Sequence, residues 1–244
     1  MALLEARGMV QIFGTLRALD GVDFDVEAGQ LHGLVGPNGS GKSTLLQCLA
    51  GGIVPTAGRV TFAGTDITQR RPDERAHAGL SIKFQIPSIL PMLAVYDNVL
   101  LALQARGTTL GLLRSRTRGA LHERVMLALE RFQLVARAND LAGELSHGQQ
   151  QWLEIAMALA PAPRLLLLDE PTAGMSLEER KVTGALLAPL RESCALVIVE
   201  HDLDFIRDLC DILTVLDQGR VVGSGTVADI QQNPKVQEVF LSRV

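Results

Sequence analysis

No apolar run in this 244-residue chain reaches the roughly 20 residues that a membrane-spanning helix needs. Apolar runs such as Leu165 to Leu168 and Ala195 to Val199 have the length of strands. The first ten residues, Met1 to Val10, include Glu5 and Arg7 and lack a sustained apolar core, so they do not read as a signal peptide, and cytoplasmic residence is expected. Cysteine is scarce: Cys48, Cys194 and Cys210 are an odd set without metal-ligand spacing, which excludes a disulfide framework and leaves small buried thiols. Basic charge is not in excess either. With a net charge of -4 and a pI near 5.7, the chain offers no electrostatic footprint for nucleic acid, and none is expected as a partner. Internal repeats and low-complexity tracts are also missing.

Hydrophobic residues make up 47% and charged residues 20%, the balance of an ordinary globular chain with one sizeable core. Strands are expected at Val22 to Val26, Leu31 to Val35, Arg59 to Phe62, Leu80 to Phe84, Leu165 to Leu168, Leu196 to Glu200 and Ile212 to Leu216. The Gln218-Gly219 turn suggests a hairpin into Val221 and Val222. Helices are expected at Lys42 to Ala50 and, after a cap at Ser176, at Leu177 to Arg191. This alternation predicts an α/β fold with a mainly parallel sheet. From Ile86 to Ala160 the rhythm breaks. Helical patterns at Val95 to Gln104, Leu121 to Phe132 and Gly148 to Ala160 come without a strand, so residues 86–160 read as a helical insertion into a core made of residues 1–85 and 161–244. Pro161-Ala-Pro163 closes the insertion, because proline removes an amide donor and restricts the residue before it. The basic cluster of Arg114, Arg116 and Arg118 reads as a solvated loop, with lipid headgroups as the other possibility.

Gly36-Pro37-Asn38-Gly39-Ser40-Gly41-Lys42-Ser43-Thr44 matches the P-loop pattern completely, with an apolar strand before it and a helix after it. Its glycines let successive N–H groups converge on phosphate oxygens, at the positive end of the following helix. Lys42 is placed for the β- and γ-phosphates and the Ser43 hydroxyl for Mg²⁺. An apolar strand then ends in Asp169-Glu170. A carboxylate at Asp169 would hold Mg²⁺, and Glu170 would orient or deprotonate the attacking water.

Leu145-Ser146-His147-Gly148-Gln149, ahead of Asp169 and Glu170, resembles the signature sequence of ABC transporter ATPases. The resemblance extends along essentially the whole chain through Gln85, Ala173-Gly174-Met175-Ser176 and His201, which follow in family order. It implies a RecA-like P-loop NTPase core with an antiparallel β subdomain and an inserted helical subdomain. It also implies ATP and Mg²⁺ as ligands. In the family, Gln85 senses Mg²⁺ and the attacking water, His201 contacts the γ-phosphate, and Phe13 stacks on adenine, although a buried aromatic is the other reading of Phe13. Ser146, Gly148 and Gln149 would close over the nucleotide of a second ATPase subunit. The chain departs from the family at His147, where glycine is usual, and at Ser176, where aspartate is usual; Ser176 then serves as a helix cap.

Further implied partners are two transmembrane permease subunits and an extracytoplasmic substrate-binding protein, which puts this chain at the cytoplasmic face of the membrane. Ile86 to Leu93, apolar and interrupted by Pro87 and Pro91, is either packed core or the surface that docks a permease. Within the family, Gly148 to Ile155, Pro171 to Met175 and Val199 to Asp202 are similar to the branch serving branched-chain amino acids and urea or short-chain amides. Trp152 and Gly174-Met175 lean toward urea, while Trp152 reads equally as a core aromatic. An exporter or lipid-transport ATPase and a non-transport ATPase are the ranked alternatives.

Overall fold

The computed structural model describes residues 2–83, 89–105 and 117–241. Two sheets organise them. The larger has six strands in the order β10-β9-β3-β8-β7-β6, built from β3 (Leu31–Val35), β6 (Leu80–Lys83), β7 (Leu165–Asp169), β8 (Ala195–Val199), β9 (Ile212–Asp217) and β10 (Arg220–Thr226). All neighbours run parallel except β10, which returns antiparallel along β9 after the Gln218-Gly219 turn.

The central strands are buried at every position, because the sheet is covered on both faces. Their side chains alternate between two cores. Leu166, Leu168, Leu196 and Ile198 face one core, while Leu165, Leu167, Val197 and Val199 face the other. Each such leucine contributes about 1.5–3 kcal/mol by leaving water. The three cysteines are buried and free, as expected, and burial pushes the Cys48 thiol up to about 11.

The smaller sheet is antiparallel, in the order β2-β1-β4-β5, from β1 (Leu4–Phe13), β2 (Leu16–Val26), β4 (Ala57–Phe62) and β5 (Thr65–Asp66). β1 was not anticipated from the sequence. Gly8 takes φ +58° and the β1 register shifts at three places, so its alternation is broken. β2 begins at Leu16, six residues before the expected Val22.

Between β6 and β7 the described elements are α3 (Val95–Gln104), α4 (Thr117–Arg131), two short 3₁₀ turns and α5 (His147–Leu159). The remaining helices are α1 (Lys42–Ala50), α2 (Pro72–Ala78), α6 (Leu177–Leu187), α7 (Leu203–Leu209), α8 (Val227–Gln231) and α9 (Pro234–Leu241). α6 stops at Leu187 rather than Arg191 and continues as a 3₁₀ turn, because Pro189 has no N–H for the α-helical ladder. β8 ends at Val199, one residue short of expectation, which releases Glu200 from the sheet. Among the described residues, no helix is long and apolar enough to cross a membrane. Arg118 is held at 2.9 Å by Asp97 and lies over the Tyr96 ring; Arg114 and Arg116 fall outside the described residues.

Candidate nucleotide site

The loop between β3 and α1 folds around two glycines that no other residue could replace without strain. Gly36 has φ +151°, and a Cβ there would come within 2.1 Å of the Leu216 carbonyl oxygen. Gly41 has φ +107°, and a Cβ would sit 2.6 Å from the Ala18 carbonyl oxygen. The loop is tied to the β9–β10 turn by Gly219 N–H donating to the Ser40 carbonyl at 2.9 Å. Lys42 Nζ reaches back and donates to the Gly36 and Pro37 carbonyls at 2.8 and 3.0 Å. Burial lowers the Lys42 pKa, while the nearby charges of Glu170 and Asp169 oppose that shift. α1 starts at Gly41 without a side-chain cap and without an acid in its first turn.

A cavity of about 710 Å³ opens above this loop, lined by Asn38 to Thr44, Glu170 and His201, with Phe13 and Leu16 on its apolar side. Phe13, at the end of β1, is 46% exposed, which rules out the buried-aromatic reading. Leu16, Arg17, Ala18 and Gln218 also line the cavity and were not anticipated. Their only signal is position, in the β1–β2 and β9–β10 turns that the fold brings to the loop.

Asp169 and Glu170 finish β7 in different roles. Asp169 is buried beside Ser43; burial and the neighbouring Glu170 raise its pKa, against the opposing pull of Lys83, Ser43 and Lys42. Its Oδ1 is buried and has no hydrogen-bond partner among the described residues. Glu170 turns into the left-handed region at φ +48° and is held by its N–H to the Val199 carbonyl at 2.9 Å. Its Oε1 lies 2.9 Å from Nε2 of His201, which follows β8. Gln85 lies outside the described residues.

The structure places Ser146, Gly148 and Gln149 apart from this cavity, at the start of α5. Ser146 Oγ accepts the Gln149 N–H at 3.3 Å, and the Gln149 side chain accepts the Ser146 N–H at 3.1 Å, a reciprocal cap. His147 Nε2 lies 3.0 Å from the Ala173 carbonyl oxygen, tying α5 to the turn after Glu170. Ser176 caps α6, accepting the Glu179 N–H. Trp152 proves to be part of the core packing: its indole donates to Thr183 Oγ1 at 2.8 Å, and Thr183 in turn lies 3.3 Å from the Met175 sulfur.

Residues 19–173 match the sequence pattern of the family described as ABC transporter. Over 98% of its length the chain is 34% identical to the high-affinity branched-chain amino acid transport ATP-binding protein BraF of Pseudomonas aeruginosa, covering 97% of that protein. It is 32% identical, at the same coverage, to LivG of Escherichia coli, which carries the same description. Among solved structures, the ADP conformation of an ATP-binding cassette of an ABC transporter matches with a TM-score of 0.89 and 32% identity, covering 100% of both chains. A dimeric ATP-binding cassette in a post-hydrolysis state, bound to ADP and Pi, matches with a TM-score of 0.78 and 27% identity, covering 92% of this chain and 98% of that one.

Proposed function

This chain belongs to the ABC transporter family, as one of its ATP-hydrolysing importer subunits, and on that premise we propose how its residues divide the work and what it helps to import. The observation that carries the proposal is the single cavity that gathers Phe13, Asn38 to Thr44, Glu170 and His201. Phe13 offers a face for adenine, and the loop amides with Lys42 take the phosphates. Glu170 holds or deprotonates the attacking water, and His201, 2.9 Å from Glu170, contacts the γ-phosphate.

Asp169 and Ser43 fit a Mg²⁺ ion, since a buried carboxylate oxygen without a partner among the described residues and a nearby hydroxyl supply oxygen ligands of the right kind. Gln85 is their third partner by resemblance. Among the described residues no trio of His, Cys, Asp or Glu forms a metal cluster, and an ion shared with phosphates and water requires none. When bound, the ion neutralises charge on the β- and γ-phosphate oxygens.

Ser146, Gly148 and Gln149 serve a second ATPase subunit, closing over its nucleotide and excluding water. Residues 86–160 act as the subdomain that carries them. Leu90, Met92 and Leu93 are exposed, Met92 at 79%, while Ile89 packs against the core. This turn is fixed from beneath by buried Asn98, which accepts the Leu90 N–H at 2.7 Å and donates to the Leu90 and Ala94 carbonyls. It is the surface offered to the two permease subunits, at the cytoplasmic face of the membrane, with an extracytoplasmic binding protein delivering cargo. The relatives' descriptions favour branched-chain amino acids; the Trp152 and Gly174-Met175 pattern keeps urea and short amides as the other cargo class.

The test is Glu170→Gln in the full chain. ATP binding is retained, turnover is lost, and a closed dimer accumulates on size-exclusion chromatography with ATP. Normal turnover by this variant would remove Glu170 from the mechanism. Co-purified permeases and binding protein, assayed with leucine, urea and acetamide, assign the cargo by which one stimulates hydrolysis.

A further inference from the structure

We propose that Glu200 is a positioning residue for ATP hydrolysis, its buried carboxylate locking the turn after Glu170 and the backbone of His201 into one geometry. The inference rests on the reading of Glu170 and His201 as the hydrolytic pair. β7 and β8 run parallel with Asp169 opposite Val199, so the two strands release Glu170 and Glu200 side by side. Two neighbouring carboxylates at adjacent strand ends repel, and the structure separates their tasks. Glu170 turns toward the cavity, while Glu200 turns inward and is 4% exposed.

Inside, Glu200 meets three donors. Its Oε1 accepts the Thr172 N–H at 2.8 Å and the Thr172 hydroxyl at 2.6 Å. Its Oε2 accepts the His201 N–H at 3.2 Å. Thr172 is itself 2% exposed, so water does not substitute for these bonds. A buried carboxylate is tolerated only when its oxygens are satisfied, and charge-assisted bonds of this kind are short and directional.

The donors belong to two segments. One is the turn that begins at Glu170, closed by the Ala173 N–H to the Glu170 carbonyl at 3.2 Å; the other is His201, two residues after β8 ends. One carboxylate therefore spans the two segments whose side chains meet at 2.9 Å in the Glu170–His201 contact. Loosening either side lets that contact drift. The nucleotide's own contacts, through the β3–α1 loop, are left in place.

Glutamine is nearly isosteric at this position. Its Oε1 still accepts from Thr172, but its amide presents a donor to the His201 N–H, where only an acceptor fits. In the full-length chain, under conditions where the wild type hydrolyses ATP, Glu200→Gln is expected to lower kcat about ten- to hundredfold, the penalty of misplaced reacting groups, with the KM for ATP unchanged. Thr172→Val, which removes one of the three donors, moves kcat in the same direction by less, and it carries the test if Glu200→Gln does not fold. Combined with His201→Ala, either variant adds no further loss. Wild-type kcat in both single variants, equal losses in kcat and ATP affinity, or full additivity with His201→Ala would overturn the inference. A failure of the underlying reading looks different: Glu170→Gln and His201→Ala would then turn over normally.

Discussion

The two helix N-termini to which the proposed function assigns phosphate, those of α1 and α5, are built in opposite ways. α1 opens from Gly41 with no side-chain cap and no acid in its first turn, and the preceding loop is held open by backbone geometry. α5 opens from Ser146 with a closed reciprocal cap, in which Ser146 Oγ takes the Gln149 N–H and the Gln149 side chain takes the Ser146 N–H. The uncapped end leaves its first N–H groups without a side-chain partner, which suits the phosphate-binding role proposed for it. In the capped end the Ser146 hydroxyl is already engaged, and under the proposed function it leaves that bond to serve a phosphate held by a second subunit. The contrast fits a division of labour in which one end binds nucleotide and the other responds to a second subunit.

The largest expected effect breaks the first half of that contrast. Gly36→Ala drives a methyl group to within 2.1 Å of the Leu216 carbonyl, at a backbone angle that alanine rarely adopts. The loop must move, and ATP affinity is expected to fall by about a hundredfold or more, equivalent to roughly 2.7 kcal/mol. Isothermal titration with ATP checks it. Undiminished affinity would mean that the loop geometry is not what binds nucleotide.

Gly148→Ala tests the other end with a smaller effect. The added Cβ would lie 2.6 Å from Glu179 Oε1, the far end of a flexible side chain that also serves the Ser176 cap. Glu179 is able to shift, so folding and ATP binding by the monomer are expected to persist. Hydrolysis falls about tenfold, the order expected when a group facing the developing charge is displaced by less than an ångström. Equal losses in monomer ATP binding and turnover would erase the distinction between the two ends.

Much of this arrangement was legible because it is local or because it is buried on both sides. The β3–α1 loop is contiguous, and Leu165 to Leu168 of β7 and all of β8 read as unbroken apolar runs, since neither sheet face meets water. β1 was hidden by Gly8 and its register shifts. α2 was hidden because tertiary contacts, rather than an apolar stripe, hold it. Buried Arg75 donates to the Cys48, Leu49, Thr68 and Arg70 carbonyls, a partnership that no local pattern announces. Glu200 was passed over for the same reason, because its partner Thr172 lies 28 residues earlier in the chain. Conversely, the features that set the signature region apart in sequence turn out to be neighbours in space. His147 meets Ala173 and Gly174, and Trp152 reaches Met175 through Thr183.

The smallest effect sharpens the comparison most, because it separates a cap from a ligand. Ser146→Ala removes the oxygen that accepts the Gln149 N–H, and thermal or urea unfolding should register about 1 kcal/mol of lost stability. Ser146→Thr keeps a capping hydroxyl and should recover most of it. α1 and its cavity are untouched, so ATP titration of either variant should match the wild type. If Ser146 only caps, hydrolysis in the alanine variant is unchanged below its unfolding range. If the hydroxyl also leaves the cap to meet the partner subunit's nucleotide, hydrolysis falls at temperatures where the variant is fully folded. A drop in turnover without a drop in ATP binding therefore assigns the capped end its second role, and the loss of both together withdraws it.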